Sequence, residues 1–249
     1  MATGLPSPAG SSPATSPTGT VTGSNVTPLP LLEGVTGFRD LGGIPTAQGA
    51  TTRLGVLYRS PCPSELTDSD RDVLAGLQIA VRVDLRSSFE LREAPPVDIA
   101  ELACAHIPIL DARDASRYAR KLRTLLRDRR DATAVLSAMV REDGAAFARV
   151  FELLAERSPA VVHCTTGRDR TGLVAAMALR LVGVSDAFIA LDYTQSRPVA
   201  VPHARDQQGE PILTALADID NGWGDVEGYL IEHGCPDVAL KTFRMAFVA

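Results

Sequence analysis

The period of the apolar positions changes several times along the chain, and each change marks an element. Residues 55–60 and 79–85 are short apolar-rich runs bounded by turn residues, too short for helices, and they read as strands. A third strand is expected over residues 102–107, just before Pro108, and a fourth at Ala160-Val161-Val162. Between them, Thr67 with Asp70 three positions on forms a capping pair for a helix whose apolar face is Val73, Leu74 and Leu77. Ser87 or Ser88 opens a brief helix through Arg92, stopped by Pro95-Pro96. Residues 112–157 take a helical period, and 173–182 are so uniformly apolar that a buried helix is expected. Ser185-Asp186 starts another helix through Leu191-Asp192-Tyr193. Residues 212–219, 226–232 and 238–247 supply terminal helices, punctuated by Gly222 and Gly234. Strands that alternate with helices early, followed by a helical second half, predict one α/β domain with a central, mostly parallel sheet flanked by helices.

Two stretches fall outside these periods. Residues 1–27 are nearly all Ser, Pro, Thr, Gly and Ala and carry no charge. They cannot bury enough apolar surface to offset their ordering entropy, so a disordered tail is expected, with the folded domain over 28–249. Residues 197–210 hold two prolines, a histidine and several polar residues, and read as a loop or mobile cover. Near the start of the domain, the two glycines of Phe38-Arg39-Asp40-Leu41-Gly42-Gly43 suggest a tight turn whose charged side chains face an internal partner.

Composition narrows the class of partner. The 249-residue chain carries a net charge of −5, so bulk attraction to a nucleic acid polymer is not expected. No apolar run approaches the ~18 residues of a membrane span, and the N-terminus lacks the basic and apolar parts of a secretory signal. A cytoplasmic location is expected, and export without a classical signal peptide stays compatible with the sequence. Four scattered cysteines suit neither a disulfide framework nor a zinc site. Cys62, Cys104 and Cys235 read as small buried hydrophobes, and neither His106 nor His203 has a partner at metal-ligand spacing. No metal or cofactor is expected. Against the acidic whole, Arg113, Arg117, Arg120 and Arg127 fall on one helix face opposite Tyr118, Leu122, Leu125 and Leu126. That stripe is either a solvated surface or a guide for anionic substrates.

The densest chemistry lies in His163-Cys164-Thr165-Thr166-Gly167-Arg168-Asp169-Arg170-Thr171-Gly172, between a strand and a helix. Loop N–H groups and the positive end of the helix dipole make such a junction an anion site. Cys164 adds a nucleophile, because a helix N-terminus and a nearby arginine favour the thiolate. Arg170 supplies a planar fork for two phosphoryl oxygens. The backbone and side chains of Thr165, Thr166, Gly167, Arg168 and Thr171 complete the phosphate cradle, with Thr171 also placed to bond the Cys164 sulfur. Attack on a phosphate ester would give a cysteinyl-phosphate. For the proton donor, Asp169 lies inside the loop and Asp84 ends a strand; Asp84 has a structural reading too, as an ion pair with Arg86 or Arg59. His163 reads as a buried hydrogen-bonding support. A phosphate-binding module without turnover, or a sulfur-transfer domain, would each use part of this motif.

The decapeptide resembles the signature of the protein tyrosine phosphatase superfamily. With Phe38-Arg39-Asp40-Leu41-Gly42-Gly43, Asp84-Leu85-Arg86-Ser87 and Leu191-Asp192-Tyr193, the likeness extends over most of residues 35–195 and is similar to the bacterial and fungal branch that includes atypical lipid phosphatases. The resemblance implies a metal-independent, cysteine-dependent phosphatase with Cys164 as nucleophile, Arg170 on the phosphate, Asp169 as loop acid and a helical lid. It implies phosphoprotein or phosphoinositide substrates and inorganic phosphate as product, with a small phosphorylated metabolite as the alternative substrate. The branch usually carries Lys where this chain has Arg168, which exchanges a point charge for a fork.

Overall fold

The computed structural model describes Met1 and residues 32–99, 102–111, 132–196 and 209–249. Residues 2–27 of the tail, the arginine stripe and most of the cover at 197–210 lie outside them. The strands are β1 (Arg39–Asp40), β2 (Leu57–Ser60), β3 (Val81–Asp84), β4 (Cys104–His106) and β5 (Ala160–His163). The described helices are α1 (Asp68–Gly76), α2 (Ser88–Glu93), α3 (Ala132–Glu142), α4 (Gly144–Glu156), α5 (Asp169–Leu181), α6 (Asp186–Gln195), α7 (Glu210–Trp223), α8 (Val226–Glu232) and α9 (Asp237–Phe247). None of them is long and apolar enough to cross a membrane.

The five strands form one sheet in the order β1-β2-β5-β3-β4, parallel except for β1. The last strand in sequence therefore sits at the centre. Leu57 and Val81 both pair with Ala160, while Ser60 and Asp84 both pair with His163. Parallel strands end on one edge, so the chain leaving β2, β3 and β5 converges there, the place where open α/β sheets bind ligands.

Strand periodicity divides the core. Leu57, Val81, Val83, Ala160 and Val162 join the large cluster with α3 to α9, whereas Tyr58 and Val161 join a smaller one with Phe38, Leu74 and Ile79. Helix α5 is buried nearly all round, from Leu173 to Leu179, as its uniform apolar run requires. Thr67 with Asp70 caps α1 as its spacing predicts, and of the two candidate serines it is Ser87 that starts α2, in a capping box with Glu90. The Asp70 carboxylate also accepts from the backbone of Glu33 (2.6 Å) and Gly34 (2.9 Å), tying the start of the described domain to α1.

Arg39 and Asp40 form an edge strand antiparallel to β2, and the turn expected at the two glycines follows them, where Gly43 has φ +79°. The Asp40 carboxylate accepts from Gly42 N (2.8 Å) and Gly55 N (2.7 Å), which fastens that turn. Two readings need correction. Gly222 does not stop α7; the helix continues past it to Gly224, whose positive φ of 84° ends the run. Cys104 is not a core hydrophobe, because β4 is the sheet edge and its side chain points to solvent.

Candidate active site

Chain geometry brings Cys164 to the C-terminal end of the central strand, and Arg168, Asp169 and Arg170 to the first turn of α5. Cys164 is buried at 1% exposure, while Thr165 and Thr166 face outward. Gly167 is left-handed (φ +69°), and an added Cβ would lie 2.5 Å from Pro61 N. The loop thus turns against the chain leaving β2 so closely that only glycine fits. Cys62 N donates to Thr165 O at 3.1 Å and joins the same two loops.

A buried charge cluster fixes the loop from behind. Arg59 is 1% exposed and donates to Gly167 O at 2.7 Å, and its other terminal nitrogen pairs with the Asp192 carboxylate. Arg39 donates to the same carboxylate (2.9 Å), to Asp192 O (2.8 Å) and to Ser196 Oγ (2.7 Å). Burial, and then the neighbouring Arg59, lower the Arg39 pKa to about 10, with Asp192 opposing the shift. One carboxylate between two guanidinium groups leaves a positive excess directly behind the anion-binding loop. Asp192 is the internal partner that the Arg39-Asp40 turn called for. The sequence singled out each member, but nothing in it joined positions 39, 59 and 192.

The arginine fork is already engaged. Arg170 Nη1 and Nη2 donate to the two oxygens of Glu90, at 2.6 and 2.7 Å, and the Thr165 hydroxyl donates to the same carboxylate. Arg170 Nη1 also lies 3.4 Å from Leu85 O. Burial raises the Glu90 pKa, but Arg170, Thr165 and the Ser87 N–H outweigh it and bring it down to about 2. Glu90 is a site residue that sequence reasoning missed. Its signal was visible as the fourth residue of the Ser87-x-x-Glu90 capping box, where it looks purely local.

The two acid candidates differ sharply. Asp84 is fully buried, and Arg86 grips it in a fork at 2.7 to 3.1 Å while the Arg86 N–H adds a bond of 3.0 Å. Burial raises the Asp84 pKa, but the Arg86 bonds and the His163 ring overcome it, so the net shift is downward. The Asp169 side chain is 40% exposed, lies 3.3 Å from the Tyr193 hydroxyl, and has Arg168 Nε at 3.9 Å. Arg168 itself stacks over the Tyr193 ring at 5.4 Å. Thr171 does not bond the cysteine sulfur: two residues into α5 its side chain is fully buried, and among the described residues its hydroxyl has no hydrogen-bond partner.

His163 lies between Asp84 and the loop. Its Nδ1 donates to Cys164 O at 3.3 Å, which leaves the unprotonated Nε2 3.7 Å from Asp84 Oδ2. Burial lowers its pKa from 6.5 to about 4 despite Asp84. The unfolded chain binds a proton below pH 6.5 and the folded one only near 4, so stability rises with pH across that window. The stability lost as pH falls through it is on the order of 3 kcal/mol. Urea unfolding at pH 4.5 and 6.5 should show a slope of about one proton, flattened in His163→Gln. Glu90 acts lower, between its folded value of about 2 and its ordinary 4.5, and does not mask the effect.

The pattern described as "Tyrosine phosphatase family" matches residues 30–249. The chain belongs to the tyrosine phosphatase family. It is 32% identical over 271 residues to the triple specificity protein phosphatase PtpB of Mycobacterium tuberculosis, across 86% of this chain and 96% of that protein. A tyrosine-protein phosphatase of Nostoc commune is 24% identical over 240 residues, 81% of this chain and 77% of its own. Among solved structures, P. aeruginosa TpbA aligns with a TM-score of 0.36 and 21% identity, over 75% of this chain and 91% of its own. Enzymes of the family are cysteine-dependent and metal-independent phosphatases.

Proposed function

We propose that the chain hydrolyses phosphate monoesters of proteins through a cysteinyl-phosphate on Cys164. One observation carries this reading: the Arg170 fork, six positions after Cys164 and on the first turn of the following helix, already holds a planar oxyanion, the Glu90 carboxylate, with both terminal nitrogens. A phosphoryl group presents the same paired oxygens. In the first step the Cys164 thiolate attacks phosphorus, the S–P bond forms, the P–O bond breaks, and Asp169 gives its proton to the leaving oxygen. In the second, water attacks phosphorus, Asp169 takes its proton, and the S–P bond breaks to release inorganic phosphate and the thiolate. Arg170 and the loop from Thr165 to Thr171 hold the equatorial oxygens throughout.

Asp169 is the acid in this reading because it is exposed beside the loop, whereas the Asp84 carboxylate is buried and committed to Arg86. The likeness to a triple specificity protein phosphatase favours phosphoprotein substrates beyond phosphotyrosine alone. Phosphoinositides come second, and a panel of phosphopeptides, phosphoinositides and sugar phosphates at fixed salt ranks them. The acid is tested in the presence of a chelator. Asp169→Asn should lower kcat/KM for phenyl phosphate by about 10²-fold or more, but far less for dinitrophenyl phosphate, whose leaving group needs no proton. Equal losses on both esters would remove Asp169 from that role.

A further inference from the structure

Asp192 and Tyr193 are adjacent on α6 and reach different residues of the loop. Asp192 holds Arg59, which holds the Gly167 carbonyl. Tyr193 reaches Asp169. Its ring is 1% exposed and confined by α5, because a Cβ added at Gly172 would lie 3.0 Å from its Cδ2. The hydroxyl is thus a fixed point, while the Asp169 side chain, at 40% exposure, has room to turn. The Arg168 guanidinium lies over the same ring, 5.4 Å from its centroid, with its Nε still 3.9 Å from Asp169 Oδ1. An aromatic face that holds this cation keeps it from closing on the aspartate as a tight ion pair.

We infer that Tyr193 is a positioning residue for the acid: its hydroxyl pins Asp169 Oδ1, so that the proton delivered to the leaving group is carried on Oδ2. The inference rests on the reading of Asp169 as general acid. The physical basis is the inventory of a carboxylic acid, which has one O–H donor and one carbonyl acceptor. An oxygen that accepts from a fixed phenol is the carbonyl oxygen, and the proton resides on the other. Without the phenol, the carboxyl group rotates and its proton is directed at the leaving oxygen for only part of the time. Such a residue does not touch the phosphate. Its loss affects only the step that needs the proton, in proportion to how much that leaving group needs it.

Tyr193→Phe removes the hydroxyl and keeps the ring against Gly172 and under Arg168. It should lower kcat/KM for phenyl phosphate about ten-fold and for dinitrophenyl phosphate less than about two-fold. Competitive inhibition by inorganic phosphate, which reports the loop alone, should stay unchanged. In an Asp169→Asn background, adding Tyr193→Phe should cost nothing more, since both act through one proton. Equal losses on the two esters, or a full additional loss in the Asp169→Asn background, would overturn the inference and make Tyr193 a packing residue. If Asp169→Asn itself shows no dependence on the leaving group, the parent reading fails. If Asp169→Asn shows it and Tyr193→Phe does not, only the present inference fails.

Discussion

Arg170→Lys is expected to lower kcat/KM for p-nitrophenyl phosphate by about 10³-fold and to weaken inhibition by inorganic phosphate. The size follows from geometry. Arg170 spends both terminal nitrogens on one carboxylate, at 2.6 and 2.7 Å, and a lysine ammonium offers a single point in place of that fork. A phosphoryl group passing through its transition state spreads charge over three equatorial oxygens, and losing one of two parallel donors there costs more than in the ground state. The substitution also releases Glu90. With Arg170 gone, the strongest influence lowering the Glu90 pKa disappears and its carboxyl moves back towards the ordinary range. Steady-state kinetics with inorganic phosphate as competitor measures both effects. A loss below about ten-fold would mean that the loop amides, not the fork, hold the phosphate.

Cys164→Ser is expected to abolish turnover, with a loss of at least about 10⁴-fold on every ester, while phosphate still binds. Serine keeps the size of the side chain at the end of β5 and preserves the buried surroundings of residue 164. A hydroxyl there is a far weaker nucleophile than a thiolate, and the neighbouring His163 is not placed to take its proton: its ring donates to the Cys164 carbonyl, and its basicity is depressed to about 4. Isothermal titration with inorganic phosphate should therefore give similar affinity for the wild type and Cys164→Ser. Loss of affinity together with activity would point to collapse of the loop and not to removal of the nucleophile.

Local features were legible wherever a few neighbouring residues decide them. Thr67 with Asp70 announces its helix through capping alone, and Ser87 marks the start of the next. The strand, glycine turn and apolar helix around Cys164 follow from periods of two and then 3.6. What the sequence hid is long-range. Placing β5 between β2 and β3 is a matter of sheet order, and only that order brings the Ser60, Asp84 and Cys164 regions to one edge. Glu90 shows the consequence. Its capping role is local, whereas its grip on Arg170 spans 80 residues and exists only because β3 lies beside β5. The Arg39, Asp192 and Arg59 cluster is similar: short motifs flagged its members, but which carboxylate meets which guanidinium is set by how α6 docks.

The errors have equally physical sources. Gly222 reads as a stop because glycine is a poor helix former, yet α7 runs on through Trp223 and ends only at Gly224, where φ turns positive. Cys104 reads as core because cysteine usually is, but an edge strand exposes one of its faces. Thr171 reads as a partner for sulfur from spacing alone, whereas its hydroxyl is buried and bonds to none of the described residues.

The central claim is the covalent bond between Cys164 and phosphorus. Wild-type enzyme mixed with a rapidly cleaved aryl phosphate, quenched in acid within the first turnover and digested, can be read by mass spectrometry for a phosphoryl group on the peptide that carries Cys164. The account predicts that label on Cys164 in the wild type, at a yield that falls as the chase with excess inorganic phosphate lengthens, and none in Cys164→Ser. A wild type that releases phosphate at full rate without ever carrying the label, or a Cys164→Ser variant that still turns over, would contradict it.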